Sequence, residues 1–360
     1  MSAPGEGTPR GAPEPEPASN PSNPSNPSNP SNPSNPSDPS DPSDPSDPSD
    51  PSDPSDPSNA TAKRGLKKRL GPLFMLIAAV FVAYSAWDLA HKWQKTSVSL
   101  DLPWALASIL PLGLGCLIQG RGWIALIERM TAHRVPRGPA LSLYMDSQLA
   151  RYTPGMVGLP FVRMAGAARL GVSAVSVGSS VGLEMLSWTA VGGGIGFASL
   201  FWLPTRSGLT ALLGAWAIPI VLGFAAIVIV LTGVDRARLP AFVMRVLKVH
   251  GTGPLVPVSL LLAHVLYWGT WAAHGALLTH AFGAAWSVAL ETSGLYALAT
   301  VGGFVALAAP AGVGIREAIL SVSLAPALGS APALAVAVVS RAASLCADLI
   351  AWALLKRWAR

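Results

Sequence analysis

Long apolar runs constrain this chain more than any other feature of its sequence. An α-helix rises about 1.5 Å per residue, so about 20 apolar residues cross the ~30 Å hydrocarbon core of a bilayer. Roughly 60% of residues 61–360 are hydrophobic, and only 12% of the whole chain is charged. These values exclude a compact water-soluble enzyme and predict an all-α, polytopic membrane helix bundle. Six predicted spans lie at 72–90, 103–126, 175–203, 208–232, 254–282 and 331–355.

The first 62 residues have a very different composition. Residues 19–57 consist of six Ser-Asn-Pro triplets followed by seven Ser-Asp-Pro triplets, with no hydrophobic side chain to bury. Such a segment has no core to offset the entropy of ordering, and proline at every third position favours an extended chain. The tail carries ten acidic residues and one arginine. We therefore predict a disordered acidic tail (1–62) followed by one transmembrane domain (63–360).

Basic residues predict the orientation of the spans. They cluster at 63–69, 129–137, 236–248 and 356–360, beside apolar runs. Cytoplasmic loops carry an excess of Lys and Arg, so the pattern predicts a bacterial-type inner-membrane protein with both termini in the cytoplasm. Because the bases lie at the ends of apolar runs, we expect no nucleic-acid partner.

Two further apolar segments, 138–170 and 286–328, are interrupted by proline and glycine. The first is broken at 151–155, and the second at Gly302-Gly303 and again at 310–314. Non-helical backbone at membrane depth is tolerated only where protein buries it or where it lines a cavity. We expect two re-entrant hairpins of half-helices, which leave six full spans. Eight spans with kinked helices is the alternative.

The two interrupted segments resemble each other. In each, an arginine follows the break, and another ionisable residue comes 30 or 31 residues after the proline. These residues are Arg163 and Glu184 for the first break, and Arg316 and Arg341 for the second. Such a weak internal repeat is typical of inverted-repeat transporters, whose binding site lies where the broken helices meet. A chance repeat is the alternative, because the chain has 35 Gly and 33 Pro.

The same segments resemble a known family. LARYTPGMVGLPFVRMAGAARLGVS (149–173), Glu184 and APAGVGIREAIL (309–320) are similar to the signatures of the lysylphosphatidylglycerol synthase transmembrane family of flippase-like proteins. Ala311 stands where the second motif normally has glycine. In full-length relatives, an aminoacyl-tRNA-dependent transferase follows the membrane region. This chain ends at Arg360, so the resemblance implies lipid translocation without synthase activity.

Charged side chains at bilayer depth mark either a transport pathway or a buried ion pair. Four bases and four acids lie in or beside the apolar runs: Arg151, Arg163, Arg316, Arg341, Glu184, Glu291, Glu317 and Asp348. One alternative is that they join helices as ion pairs, as the neighbours Arg316 and Glu317 would. The other is that arginines bind a lipid phosphate, assisted by the N–H groups of half-helix N-termini. The candidate headgroup-binding residues are Arg151, Tyr152, Pro154, Gly155, Arg163, Glu184, Pro310, Gly312, Gly314, Arg316, Glu317 and Arg341.

Other polar residues carry weaker signals. We expect His264 and His274 to form interhelical hydrogen bonds rather than a proton relay. Asp146 and Arg151 are a candidate interfacial pair at the mouth of the first hairpin. The glycine run 192–196 is expected to allow close helix packing. The sequence has no Ser-His-Asp arrangement, P-loop or metal-ligand spacing, so we expect no catalytic residue, metal or cofactor.

Three functions fit these features. The first is a translocase for a phospholipid or a polyprenyl-phosphate-linked lipid. The second is a non-transporting membrane partner of a separate lipid-modifying synthase or glycosyltransferase. The third is an integral-membrane enzyme that uses Glu184 or Glu317 as acid or base, which the missing nucleophile and base disfavour. In each case membrane lipids are the expected partners.

Overall fold

The computed structural model describes Trp87 and residues 98–153, 156–203, 209–247, 252–306 and 314–358. Regular structure in these ranges is helical, apart from one isolated bridge between Asp235 and Pro254. The α-helices are α1 (Leu102–Ala107), α2 (Ile109–Thr131), α3 (Arg137–Ala150), α4 (Gly158–Ala165), α5 (Ala174–Ser199), α6 (Leu209–Ala215), α7 (Ala217–Gly233), α8 (Ala241–Leu247), α9 (Val258–Ala281), α10 (Trp286–Thr292), α11 (Leu295–Val305), α12 (Ile315–Leu328) and α13 (Ser330–Trp358). The predicted tail, the basic cluster 63–69 and the span 72–90, except Trp87, lie outside the described residues.

Three helical segments of the described part are long and apolar enough to cross a membrane: Leu102–Thr131, Trp286–Val305 and Ser330–Arg357. Two further helices reach the same length. α5 has 26 residues and α9 has 24, which is about 39 and 36 Å, and both lengths exceed the ~30 Å hydrocarbon core. The prediction of an all-α, polytopic membrane bundle is therefore confirmed.

The outer face of the bundle is apolar. On α7 only Ala217 and Leu231 are buried, while Leu222 and Ile229 are 64% and 67% exposed. Large apolar side chains on the outside are stable in hydrocarbon, whereas charged groups are costly there. The polar side chains of the spans therefore collect inside the bundle.

Small residues allow the long helices to approach one another. A Cβ at Gly196 of α5 would lie 2.6 Å from the backbone N of Leu298 on α11, and one at Gly192 would overlap the ring of Trp268 on α9. Close approach of backbones is the usual role of glycine between membrane helices. The predicted packing role of the glycine run is thus confirmed.

Each interrupted segment contains a helix, a break and a second helix. α3 ends at Ala150 and α4 begins at Gly158, and the two helices pack against each other. α11 ends at Val305 and α12 begins at Ile315, and this pair is also in contact. A helix therefore ends before each of the two Pro/Gly motifs that the sequence singles out, and another begins after it.

The predicted break at Gly302-Gly303 is wrong, because α11 runs through both glycines. Here glycine makes room for a neighbour: a Cβ at Gly302 would lie 2.5 Å from Cδ1 of Ile319 on α12. The helix is interrupted earlier instead, at Ser293-Gly294 between α10 and α11. Glycine within an apolar run therefore indicates close packing here rather than a break.

Arg236, one of the bases expected to mark a cytoplasmic loop, is buried. Its Nη1 donates to the backbone oxygen of Arg129 at 2.9 Å, and its Nη2 donates to the backbone oxygen of Thr252 at 2.9 Å. Burial lowers the pKa of Arg236, and the positive charge of Arg129 adds to this effect. Arg236 thus caps the last turn of α2, while Arg238 and Arg245 are the exposed charges of this loop.

Candidate functional site

The first break is closed by a threonine side chain. Oγ1 of Thr153 donates to the backbone oxygen of Ala150 at 2.9 Å and accepts from the N–H of Gly158 at 2.9 Å. A Cβ at Gly158 would lie 2.5 Å from that same carbonyl oxygen, so glycine is required. The predicted site residues Pro154 and Gly155 lie between these anchors and outside the described residues.

Arg163 of α4 is buried and fully engaged. It forms an ion pair with Glu184 of α5, and its Nε donates to Oγ of Ser147 on α3 at 2.7 Å. The ring centroids of Tyr144 and Trp123 lie 4.3 and 4.8 Å from the guanidinium carbon. A carboxylate, a hydroxyl and two aromatic faces together satisfy a planar guanidinium. Arg163 therefore connects α2, α3, α4 and α5.

Asp348 of α13 accepts three donors at the first break. These are Nη2 of Arg151 at 2.6 Å, the hydroxyl of Tyr152 at 2.7 Å and Sγ of Cys116 at 3.2 Å. The Asp348 side chain is 2% exposed, whereas that of Arg151 is 22% exposed. This carboxylate joins the break to α13 and α2, while Arg151 remains partly exposed.

The candidate pair between Asp146 and Arg151 does not form, because each side chain has another partner. Asp146 accepts from Nζ of Lys356 at 3.0 Å and from Nε1 of Trp352 at 2.9 Å. Five residues along a helix correspond to about 140° of rotation, so Asp146 and Arg151 face different neighbours. Glu291, which we grouped with the buried charges, is exposed on α10.

The second break ends at Gly314, which is the N-cap of α12 with φ of 83°, a conformation that favours glycine. The N–H of Gly314 donates to Oε2 of Glu317 at 2.7 Å, and Oε1 of the same carboxylate accepts from Nη1 of Arg341 on α13 at 2.7 Å. Glu317 thus caps its own helix and pairs with the next one. Pro310 and Gly312 lie outside the described residues.

Arg316 has different surroundings from the other three arginines. Its Nη2 donates to Oγ of Ser340 at 2.8 Å, and its guanidinium lies 5.0 Å from the ring centroid of Trp271. Within the described part of the chain, its buried Nε has no hydrogen-bond partner and no carboxylate pairs with it. The alternative in which Arg316 pairs with Glu317 is wrong, because neighbouring side chains on a helix diverge and Glu317 pairs with Arg341.

Both breaks contribute to one cavity of about 120 Å³. This volume holds several water molecules or a small anionic group. Trp188, Trp271 and Phe304 supply part of its apolar wall. Six of the expected site residues lie in the wall: Arg151, Tyr152, Arg163, Glu184, Arg316 and Arg341. The two arginine-bearing breaks, which are far apart in sequence, therefore face a common space.

The charges around this cavity do not cancel among the described residues. Three arginines each pair with a carboxylate: Arg151 with Asp348, Arg163 with Glu184, and Arg341 with Glu317. The fourth arginine, Arg316, leaves one positive charge in excess. Arginine does not lose its proton in proteins. The cavity therefore favours a negatively charged occupant.

Both histidines form interhelical hydrogen bonds, as predicted. His264 of α9 lies 2.8 Å from Nε2 of Gln119 on α2 and 2.8 Å from Oγ of Ser187 on α5. His274 of α9 lies 2.9 Å from Oγ of Ser340 on α13. Nδ1 of His274 lies 2.9 Å from the backbone oxygen of Ser108, so both nitrogens of each histidine ring have a partner.

Sequence reasoning did not place Trp271, Ser340 or Asp348 among the site residues. Trp271 and Ser340 are uncharged and belong to no motif, so only the folded chain brings them to Arg316. Asp348 did carry a signal, because an acid within an apolar run marks a partner or a pathway. Metal-ligand groups of three or more His, Cys, Asp or Glu are absent from the described ranges.

The family model of the lysylphosphatidylglycerol synthase TM region matches residues 70–351. The chain belongs to this family. The match includes both breaks and most of α13, so the family resemblance of the motifs is confirmed. A search among curated proteins found no match. Membership in the lysylphosphatidylglycerol synthase TM family indicates a lipid-related function within the membrane, and the protein is a multi-pass membrane protein.

Proposed function

We propose that this family member is a flippase-like translocase, which moves a phospholipid or a polyprenyl-phosphate-linked lipid across the membrane. The observation that carries the proposal is the excess positive charge of Arg316 in a cavity inside an apolar helix bundle. A lipid phosphate brings the matching negative charge. Its acyl or prenyl chains are compatible with the apolar outer face of the bundle.

The two breaks give the cavity its polar wall. Arginine binds phosphate oxygens through a planar fork of N–H donors. Four arginines line this space, and the fork of one of them, Arg163, is already occupied by Glu184 and Ser147. Asp348 and Glu317 hold Arg151 and Arg341 in ion pairs. We propose that a phosphate enters beside them, and that alternating exposure of the cavity to the two sides carries the headgroup across while its chains stay in lipid.

Covalent chemistry is not part of this proposal. Glu184 and Glu317, the two acids that an enzyme would use, are both held in ion pairs. An arginine partner makes a carboxylate a weaker base, and a general base must also lie within reach of the proton that it removes. A non-transporting partner of a separate synthase or glycosyltransferase is the second candidate, because a headgroup-binding cavity would serve it equally well.

We also propose that the protein lies in a bacterial-type inner membrane, with both termini in the cytoplasm and the two hairpins entering from opposite sides. The support is the exposed arginines of two loops, Arg134 and Arg137 after α2, and Arg238 and Arg245 after α7. Reporter fusions at Arg360 and within residues 204–208 should report opposite sides. The same side for both fusions contradicts this topology.

Reconstitution of the full chain into vesicles tests the translocase. A fluorescent phosphatidylglycerol is incorporated, and dithionite quenches only the label that reaches the outer leaflet. Protein-containing vesicles should lose more fluorescence than protein-free vesicles. A chain that moves no lipid alone, but raises the output of an added synthase, is a partner instead. A change in lipid mass identifies an enzyme.

A further inference from the structure

Arg316 differs from the other arginines of the cavity because no carboxylate pairs with it among the residues that the structure describes. It is 8% exposed, and its Nε has no hydrogen-bond partner among the described residues. Arg151, Arg163 and Arg341 each have a carboxylate. A buried charge without a partner is unfavourable, and its persistence at a cavity wall points to a ligand that supplies the missing charge.

A chain of hydrogen bonds holds Arg316 without neutralising it. A guanidinium only donates, so Oγ of Ser340 accepts from Nη2 at 2.8 Å. The serine proton then goes to Nε2 of His274 at 2.9 Å, and Nδ1 of His274 donates to the backbone oxygen of Ser108 at 2.9 Å. Since a carbonyl oxygen only accepts, Nδ1 of His274 carries a proton, and in the neutral imidazole Nε2 is then the acceptor for the Ser340 hydroxyl.

The neighbouring acid is already in use. Glu317 accepts from the N–H of Gly314 and from Arg341, at 2.7 Å each. Trp271 meets the guanidinium of Arg316 with a ring face, which contributes quadrupole attraction but no negative charge. Arg316 therefore keeps its full charge, is held in place by neutral groups, and lies in the wall of the cavity.

We infer that Arg316 is the anchor of a monoanion site, which takes a phosphodiester headgroup of net charge −1, and that Ser340 and His274 are its positioning residues. This inference rests on the proposed function, because the occupant is the lipid that the cavity would carry. One negative charge balances one unpaired arginine. A zwitterionic headgroup brings its own cation to the same space, and an aminoacylated headgroup brings an excess of positive charge.

Binding to the purified full chain in detergent tests this site. The probes are dihexanoyl-phosphatidylglycerol, dihexanoyl-phosphatidylcholine, lysyl-phosphatidylglycerol and the chain-free diester glycerophosphoglycerol, each measured by calorimetry. Phosphatidylglycerol should bind more tightly than the choline and lysyl lipids. Binding of glycerophosphoglycerol with the same affinity would identify the diester itself as the ligand, whereas tighter binding of the lipid shows that the acyl chains contribute.

The central variant is Arg316→Gln. It should weaken phosphatidylglycerol binding roughly tenfold to hundredfold, the range expected for a charge-assisted hydrogen bond, without lowering the melting temperature. Arg245→Gln, which removes an exposed loop arginine, is the matched control and should bind like the wild type. Ser340→Ala should reduce the preference for phosphatidylglycerol over phosphatidylcholine, because Arg316 is then free to rotate. Loss of a merely structural hydroxyl would leave that preference unchanged.

Three results overturn the inference: unchanged phosphatidylglycerol affinity in Arg316→Gln, equal binding of phosphatidylcholine, or tighter binding of the lysyl lipid. If Arg316→Gln does not fold, Arg316→Lys replaces it as the test. Arg316→Lys should still prefer phosphatidylglycerol but bind it more weakly. Wild-type affinity in Arg316→Lys would refute the site. The proposed function fails separately. If wild-type protein binds phosphatidylglycerol through Arg316 but moves no lipid, the binding site is supported and the translocase proposal is refuted. If Arg316→Gln still moves lipid, the translocase proposal is supported and the binding site is refuted.

Discussion

The two breaks share a sequence pattern but differ in how their arginines are balanced. At the first break, Arg163 and Arg151 each have a carboxylate from another helix. At the second break, the described part of the chain offers Arg316 and Arg341 a single carboxylate, that of Glu317, and it pairs with Arg341. The same sequence pattern, a Pro/Gly motif followed by an arginine, thus occurs with fully paired arginines at the first break and with an unpaired arginine at the second.

This difference separates the two roles that the sequence left open for every buried charge. A fully paired arginine mainly joins helices, since removal of one partner leaves the other charge buried. An unpaired arginine adds little to stability and is available to a ligand. We therefore expect substitutions at the first break to lower the stability of the fold, and substitutions at Arg316 to weaken the binding and movement of lipid.

The largest effect on stability is expected for Arg163→Ala. It leaves Glu184 buried without its cation, which should lower the free energy of unfolding by about 3–5 kcal/mol. Thermal unfolding in detergent measures the loss. The double variant Arg163→Ala/Glu184→Ala should recover part of it, because no uncompensated charge remains. A single variant as stable as the wild type would show that this pair does not join the helices.

A smaller loss is expected for Asp348→Asn. The amide keeps one acceptor for Tyr152 or Cys116 but no longer offsets the charge of Arg151. Since Arg151 is partly open to the cavity, water can solvate it, and the loss should be about 1–3 kcal/mol. Equal unfolding temperatures for this variant and wild type, in the same detergent, would contradict the assigned role of Asp348.

Arg341→Gln should cost still less, about 1 kcal/mol. Glu317 and Arg341 are 15% and 11% exposed in their side chains, and Glu317 keeps its bond to the N–H of Gly314. Hydration and this cap compensate for much of the lost pair. A loss as large as that of Arg163→Ala, in a parallel melting experiment, would show that the second break is as rigidly paired as the first.

The fold was largely predictable from sequence because apolar length and basic flanks are local signals. The partners in the site were not. Arg151 and Asp348 are 197 residues apart, and no local pattern reports such a contact. Adjacency also misled: Arg316 and Glu317 are neighbours in sequence, yet consecutive side chains on a helix point about 100° apart. Arg163 and Glu184 were easier to assign to one site, since both belong to the pattern that the two interrupted segments share.

Substitution of Arg316 is expected to have the smallest effect on stability and the largest effect on lipid movement. The most direct measurement uses Arg163→Gln and Arg316→Gln side by side, with the melting temperature in detergent and phosphatidylglycerol movement in vesicles recorded on the same preparations. We expect Arg163→Gln to melt well below the wild type. We expect Arg316→Gln to melt at the wild-type temperature but to move lipid about tenfold more slowly, or slower still. An Arg316→Gln protein that loses stability, together with an Arg163→Gln protein that does not, would contradict the different roles of the two arginines.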